Sequence, residues 1–416
     1  MSLLGLRPRG AIANLFARGV GDAGIVHVLR IIRKQLGMDI AFVARFRTED
    51  RVLEHVDADG PAPVHTGQVI PLHEGYCLKV VQGELPQLIP DTSLLPAAMA
   101  IPATQAIPIG AHLSVPVTLA NGDVYGTLCC FSHEPNPSLG DRDMSMLRAF
   151  AEVVAQRFDE DQAARREKQT ASEVIWAAIA SGAPRIVYQP IYELDGHTLV
   201  GVECLSRFDI DPQRGPDKWF DGAREAGVEL ELELHAVRNA LAAIDGFPRA
   251  VYLGINSSPA LILSGRLAPM LAELDSSRIV LEITEHSTVS DYDALLSALR
   301  PMRERGVRIA VDDAGAGYSS MRHILNLKCD IIKLDMSLTR DIDIDPGRRA
   351  LARGLVSFAC DIGSDITAEG IETRGELDAV RKLGVRKVQG FFLGRPGTLE
   401  DALTAFRTGC PALAAL

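Results

Sequence analysis

Positive charge is scarce in this chain: 43 Lys and Arg stand against 54 Asp and Glu over 416 residues, a formal net charge of −11. Long nucleic-acid polymers are bound through clustered Lys and Arg, so this balance argues against such a partner. It leaves a small phosphate ester open, because bound metal reverses the local field. The seven cysteines (Cys77, Cys129, Cys130, Cys204, Cys329, Cys360 and Cys410) include no C-x-x-C pair. An odd number in a chain of this size argues against a disulfide framework. Histidine is unpatterned too: His286 and His323 stand apart and no H-x-x-x-H occurs, which weakens the case for zinc. No apolar region with a small-residue cleavage site follows the basic Arg7 and Arg9. The apolar stretch from Leu94 to Leu119 is cut by Pro96, Pro102, Pro108 and Pro116 and carries His112, a poor membrane span. The expectation is a soluble cytoplasmic protein with no membrane partner.

What the chain does have is core-forming residue. A hydrophobic fraction of 47% is ordinary for a globular protein, and the length suits two domains. The expected division is an N-terminal extension over 1–20, a sensor-like domain over 21–160, a helical linker over 161–183 and a second domain over 184–416. In the first domain, Ile25, Val28, Leu29 and Ile32 share one helical face. Ala41–Arg47 and Val52–Val56 read as strands. Leu113–Phe131 reads as a hairpin in which Asn121-Gly122 supplies the positive φ angles of a tight I′ turn. A helix follows, with Asp141 as its N-cap and Leu147, Phe150, Val154 and Phe158 along one stripe. The charged run from Asp159 to Lys168 suits a solvated helix face or, equally, a connector or dimer-forming helix.

The second half alternates strand and helix. Apolar runs fall at Ile186–Tyr188, Leu199–Val202, Val251–Ile255, Ile279–Ile283, Ile309–Val311, Ile331–Leu334, Ile366–Ala368 and Val388–Phe392, with helical segments between most of them. Eight strand candidates with helical crossovers predict an α/β fold, a TIM-like (β/α)8 barrel preceded by an α+β domain. The polar residues at or just past these strands are Gln189, Glu203, Asn256, Glu282, Asp312 with Asp313, Lys333, Glu369 and Gln389. Strand ends of a barrel converge on one face. Carboxylates gathered there repel one another unless a cation compensates, and hard divalent ions prefer carboxylate and amide oxygens. An Asp pair can simply cap a turn. In line with the other strand-end groups, Asp312-Asp313 instead suits a two-metal clamp for phosphoryl displacement. The following Ala314-Gly315-Ala316-Gly317-Tyr318-Ser319-Ser320 only partly mimics a dinucleotide loop. Its third glycine position is Ser320, and the preceding carboxylates would repel a pyrophosphate.

At these residues the chain resembles the EAL family of cyclic di-GMP phosphodiesterases, over about Arg185 to Pro396. The signature tripeptide stands as Glu203-Cys204-Leu205, followed by Ser206-Arg207. Tyr188-Gln189-Pro190, Asn256-Ser257-Ser258-Pro259, Glu282-Ile283-Thr284-Glu285, Asp312-Asp313, Lys333-Leu334-Asp335, Ala368-Glu369-Gly370-Ile371-Glu372-Thr373 and Gln389-Gly390-Phe391 are similar to the other family motifs. The resemblance implies hydrolysis of cyclic di-GMP to linear pGpG with two Mg²⁺ or Mn²⁺ ions. It implies that Glu203, Asn256, Glu282 and Asp312 hold one ion and that Asp312, Asp313 and Glu369 hold the other. Glu203, Lys333 and Glu369 then carry catalysis, with Lys333 holding the water or balancing charge and Glu369 alternatively the general base. Gln189, Arg207, Gln389 and Glu372 meet the substrate, and Glu285 steadies the loop after Asp313. The first barrel strand is implied to run antiparallel to the rest. Every ligand position is filled, which favours a hydrolase over the alternative, a weak or inactive cyclic di-GMP receptor signalling through protein contacts. Cys204 replaces the usual Ala, a change a small hydrophobe tolerates. Ala314 and Ala316 replace Phe and Thr, which bears on loop order and control.

The first domain resembles a GAF sensor domain over about Gly21 to Glu160, through Gly75-Tyr76-Cys77, Tyr125-Gly126-Thr127-Leu128-Cys129 and the hairpin followed by the long helix. That implies a regulatory role, room for an unidentified small-molecule ligand, and a homodimer. Cys77 and Cys129 read as buried structural thiols, with ligand attachment as the alternative.

Overall fold

The computed structural model describes residues 22–284, 289–315 and 320–414. The expected N-terminal extension, Glu285, His286 and Ala316–Ser319 lie outside the described residues. The chain divides into two compact units, Met1–Arg166 and Glu167–Leu416. Among the described residues, no helix is long and apolar enough to cross a membrane.

The first unit is built on strands β1 (Ile40–Phe46), β2 (Asp50–Ala58), β3 (Val69–Pro71), β4 (Leu88–Ile89), β5 (Ala111–Thr118) and β6 (Val124–Ser132), ordered β3-β2-β1-β6-β5-β4. All its pairings are antiparallel. Side chains alternate across a strand, and β1 uses both faces. Ala41 and Val43 join a core with helices α1 (Asp22–Leu36) and α4 (Asp141–Ala180). Ile40, Phe42 and Ala44 join a second core with α2 (Tyr76–Val81) and the region around α3 (Pro102–Ala106). The apolar faces foreseen for α1 and α4 are the buried ones: Val28, Leu29, Ile32 and Leu147 are fully enclosed.

Two local expectations are corrected. Gly122 has φ of 90°, but Asn121 is not in the left-handed region, so the β5–β6 turn is not type I′. Gly122 N–H bonds to the Leu119 carbonyl, and Leu119 N–H bonds to that of Asp123. This is a type I turn closed by a left-handed glycine bulge, which needs positive φ at one residue only. The long helix begins at Asp141 rather than being capped by it. Gly140 precedes it, and its N–H is held by the Asp143 carboxylate at 3.0 Å. The helix then continues without a break through the charged run to Ala180.

The second unit is a closed barrel of β7 (Arg185–Glu193), β8 (Thr198–Arg207), β9 (Tyr252–Asn256), β10 (Ile279–Thr284), β11 (Arg308–Ala314), β12 (Ile331–Leu334), β13 (Asp365–Ala368) and β14 (Lys387–Val388). Only β7 is antiparallel to its neighbours; the other pairings are parallel. Helices α5 (Pro216–Ala226), α6 (Glu229–Leu241), α7 (Tyr292–Arg303), α8 (Ser320–Leu327), α9 (Pro346–Ile362), α10 (Arg374–Lys382) and α11 (Leu399–Thr408) occupy the connections and the end of the chain. The strand pleat sorts the apolar residues. Leu253, Leu281, Ile283, Ile309, Val311 and Ile332 belong to the large core shared with helices. Tyr252, Val280, Ala310 and Ile331 form a separate small cluster filling the barrel. Each enclosed Leu, Ile or Val stabilises by about 1.5–3 kcal/mol relative to exposure, so this sorting sets the strand register.

The last strand is shorter than the apolar run Val388–Phe392 suggests. It stops at Val388, and the chain turns: Leu393 and Gly394 N–H groups both bond to the Gly390 carbonyl. Gly390 packs on the Ile371 backbone, where an added Cβ would lie 2.1 Å from the carbonyl oxygen and 2.2 Å from the nitrogen. Since neither backbone atom can rotate away, Gly390→Ala should destabilise the barrel by about 1–3 kcal/mol. Calorimetry should show a barrel transition lowered by several degrees; an unchanged transition would show that the turn relaxes freely.

Candidate active site

The inward pleat that places Val280, Ala310 and Ile331 in the barrel places Glu282, Asp312 and Lys333 two residues further along the same strands. Register brings the others alongside. Glu203 on β8 stands opposite Gln189 and Gly254, and Glu282 on β10 stands opposite Asn256. Gln189 and Glu203 are therefore mid-strand rather than strand-end residues. They reach the site level because β7 runs backwards and β8 extends past it to Arg207.

Lys333 is the centre. Its Nζ lies 2.6 Å from Glu282 Oε2, 2.8 Å from Glu369 Oε1, 3.0 Å from Asp312 Oδ1 and 3.6 Å from Glu203 Oε2, and the side chain is 2% exposed. Burial lowers the affinity of this amine for its proton, but Asp312, Glu203, Glu282 and Glu369 together outweigh it and hold the pKa well above the usual range. The carboxyls respond in the other direction. Burial pushes Glu282 up from 4.5 to about 8; Lys333 opposes the shift, and Glu203 and Asp312 add to it. Burial, with Asp312 and Glu203, likewise raises Glu369 well above the carboxylate range against the pull of Lys333. One ammonium does not balance this much negative charge.

Asp312 and Asp313 are consecutive, so in a regular strand they would face opposite ways. The pairing of β11 with β12 breaks between Val311 and Ala314, and Asp313 adopts φ of 56°. This bulge, unusual for a residue other than glycine, lets both carboxylates serve one site. Oxygen atoms of Glu203, Glu282 and Asp312 lie within 4.8 Å of one another, as do those of Asp312, Asp313 and Glu369. The two triads share Asp312. Their donors are all carboxylate oxygens, so the residues present fit hard divalent cations.

The surrounding residues set orientation. Gln389 Nε2 donates to Glu203 Oε2 at 2.6 Å. Gln189 Nε2 donates to the Gly394 carbonyl at 3.4 Å. Arg207 and Asn256, with Glu282, border a cavity of about 510 Å³. Arg207 donates one bond to the Ser206 carbonyl at 2.8 Å. Glu372 is held in a two-bond ion pair by Arg340 and is not on the cavity wall. Cys204 is buried in the barrel core, where burial raises its thiol well above the usual range. Ala314 is fully buried in the same core with Leu334 and Leu338.

Two contributors escaped sequence reasoning. An added Cβ on Gly254 would sit 2.1 Å from Glu282 Oε1, so the missing side chain makes room for that carboxylate. A glycine inside a strand was the available signal. Glu233 on α6 is buried and accepts bonds from the Ser258 N–H and, at 2.7 Å, the Ser258 hydroxyl, fixing the turn after Asn256. Its sequence setting, an alternating Glu-Leu run, carries no such signal.

The raised Glu282 gives a pH test. A raised carboxyl favours the neutral form in the fold. Its stabilisation is complete below about 4.5 and is lost as pH rises through about 8. With chelator present, the barrel should melt at falling temperature across that window, and Glu282→Gln should flatten the slope. An identical slope in the variant would remove Glu282 as the cause.

The family model of the EAL domain matches residues 173–396, and that of the GAF domain matches residues 25–159. A cyclic di-GMP phosphodiesterase of Pseudomonas aeruginosa is 30% identical over 259 residues, 58% of this chain and 44% of that protein. The probable cyclic di-GMP phosphodiesterase PdeG of Escherichia coli is 29% identical over 245 residues, 56% of this chain and 48% of that protein. The match thus spans less than half the length of either relative. The solved EAL domain protein from Listeria monocytogenes EGD-e shares the fold, with a TM-score of 0.52 at 24% identity, covering 57% of this chain and 97% of that one.

Proposed function

The chain belongs to the EAL domain family, and we propose that its barrel hydrolyses cyclic di-GMP to linear pGpG using two divalent ions, Mg²⁺ or Mn²⁺. The observation that carries this reading is the pair of carboxylate triads sharing Asp312. The names of the Pseudomonas and Escherichia relatives agree with it.

Glu203, Asn256, Glu282 and Asp312 would hold one ion, and Asp312, Asp313 and Glu369 the other. Bound there, the ions supply a water of lowered pKa and neutralise charge developing on the phosphoryl oxygens. The chain's own residues do the rest. Gln389 fixes the Glu203 carboxylate through its 2.6 Å bond. Lys333 keeps its proton among the acids and balances charge at the site's centre. Glu369 would accept the proton of the attacking water in its carboxylate form, which bound cations favour over the neutral form that burial favours. One P–O bond forms to the water oxygen as the bond to the ribose oxygen breaks. Arg207 would meet the substrate from the cavity wall and Gln189 from beside Glu203, whereas Glu372 would act as an ion pair with Arg340. The first unit is assigned the regulatory role, and a homodimer belongs to the same reading.

Purified chain with Mg²⁺ or Mn²⁺ should convert cyclic di-GMP to pGpG, resolved by chromatography, and Glu203→Gln should bring turnover to background. Saturable binding without turnover under both metals would instead make the protein a receptor. Residues from about 170 onward, assayed alone, should differ in rate from the full chain. Equal rates would remove the first unit from control.

A further inference from the structure

The first unit contains a cavity of about 300 Å³ with an unpaired cation on its wall. Arg51, on β2, is 5% exposed, yet its Nε and Nη1 have no hydrogen-bond partner, and no ion pair to it is formed among the described residues. Among the described residues, the other enclosed arginines are satisfied. Arg33 pairs with Asp57 at 2.8 Å, and Arg278 donates to the carbonyls of Val251, Phe247 and Pro248. A buried charge without a partner is strongly unfavourable.

The local backbone nevertheless accommodates that guanidinium. A Cβ on Gly75 would lie 1.9 Å from Arg51 Nη2, so the glycine leaves the space Arg51 occupies. Beside it, His112 is 2% exposed and stacks on Tyr76 at 4.2 Å, with its Nδ1 also unpartnered. Burial first, and Arg51 second, push the imidazole down to about 3, so it adds no positive charge at neutral pH. Glu74 borders the cavity but is exposed and forms no ion pair with Arg51. Cys77 also lines the cavity. Its thiol is drawn down, mainly by its hydrogen bond with Cys129 and in part by Arg51, and it makes no hydrogen bond to the guanidinium. Phe42, Leu53, Val64 and Phe131 make much of the remaining wall apolar, and Gln68 also borders it.

We propose that this cavity binds a small carboxylic acid with an apolar body, its carboxylate paired with Arg51. A guanidinium matches a carboxylate with two parallel bonds. One cation answers one negative charge; a phosphate dianion would bring a second that nothing here balances. The volume lies at the small end of ligand sites, suiting a compact molecule rather than a dinucleotide. The inference concerns binding alone and stands whether or not the barrel hydrolyses cyclic di-GMP.

Titration calorimetry of the full chain with benzoate, phenylacetate and 3-phenylpropionate, each against its primary amide, tests the assignment. At least one acid should saturate a single site per chain, with its amide weaker by about tenfold or more. Arg51→Met should erase the acid's advantage while the first unit's thermal transition holds or rises, because an unpaired buried charge is removed. The proposal fails if no acid saturates. It also fails if acid and amide bind alike, if Arg51→Met binds the acid as the parent does, or if inorganic phosphate binds more tightly than all three acids. Should Arg51→Met not fold, the acid–amide comparison on the parent chain still decides.

Discussion

A buried ammonium lets the second unit collect so much negative charge in one place. Lys333 Nζ meets three carboxylates within 3.0 Å and a fourth at 3.6 Å. Without it, four acids at the end of a closed barrel would repel one another in a medium of low polarizability. With it, the balance is still incomplete, and the remainder shows in Glu282 and Glu369, both pushed toward their neutral forms. The cluster therefore links the fold to protons, and to any cation that replaces them.

Several backbone devices keep that cluster in register. The reversed β7 brings Gln189 level with Glu203. The bulge at Asp312-Asp313 turns two successive carboxylates to one side. Gly254 opens the space that Glu282 fills, and Gly390 lets the chain turn against Ile371 directly after Gln389. Each lies within or beside the barrel sheet, so the geometry of the acids is set by strand pairing rather than by loops.

The first unit treats buried charge differently. Arg33, on α1, is matched by Asp57 on β2, while Arg51 faces a cavity whose own polar groups do not answer it. Two arginines of similar burial on one small domain thus differ in kind. One completes the structure, and the other leaves a charge directed at open space.

The amino-acid order alone determined much of this protein. Apolar runs at strand spacing, separated by helical faces, specified a barrel, and the polar residues beside them named Glu203, Glu282, Asp312, Lys333 and Glu369 as one group. These were legible because pleat and helix period are local properties of sequence. The turn at Asn121-Gly122 was placed correctly but typed wrongly, since neighbouring strands choose between turns that share a glycine. The run Val388–Phe392 looked like strand throughout, whereas the contact of Gly390 with Ile371 ends it early. Tertiary structure alone decided that Glu372 pairs with Arg340, that Glu233 holds Ser258, and that Arg51 finds no partner among the described residues. In each case the deciding atom lies on a distant part of the chain, and charge and hydrogen bonding depend on that distance rather than on position along the sequence.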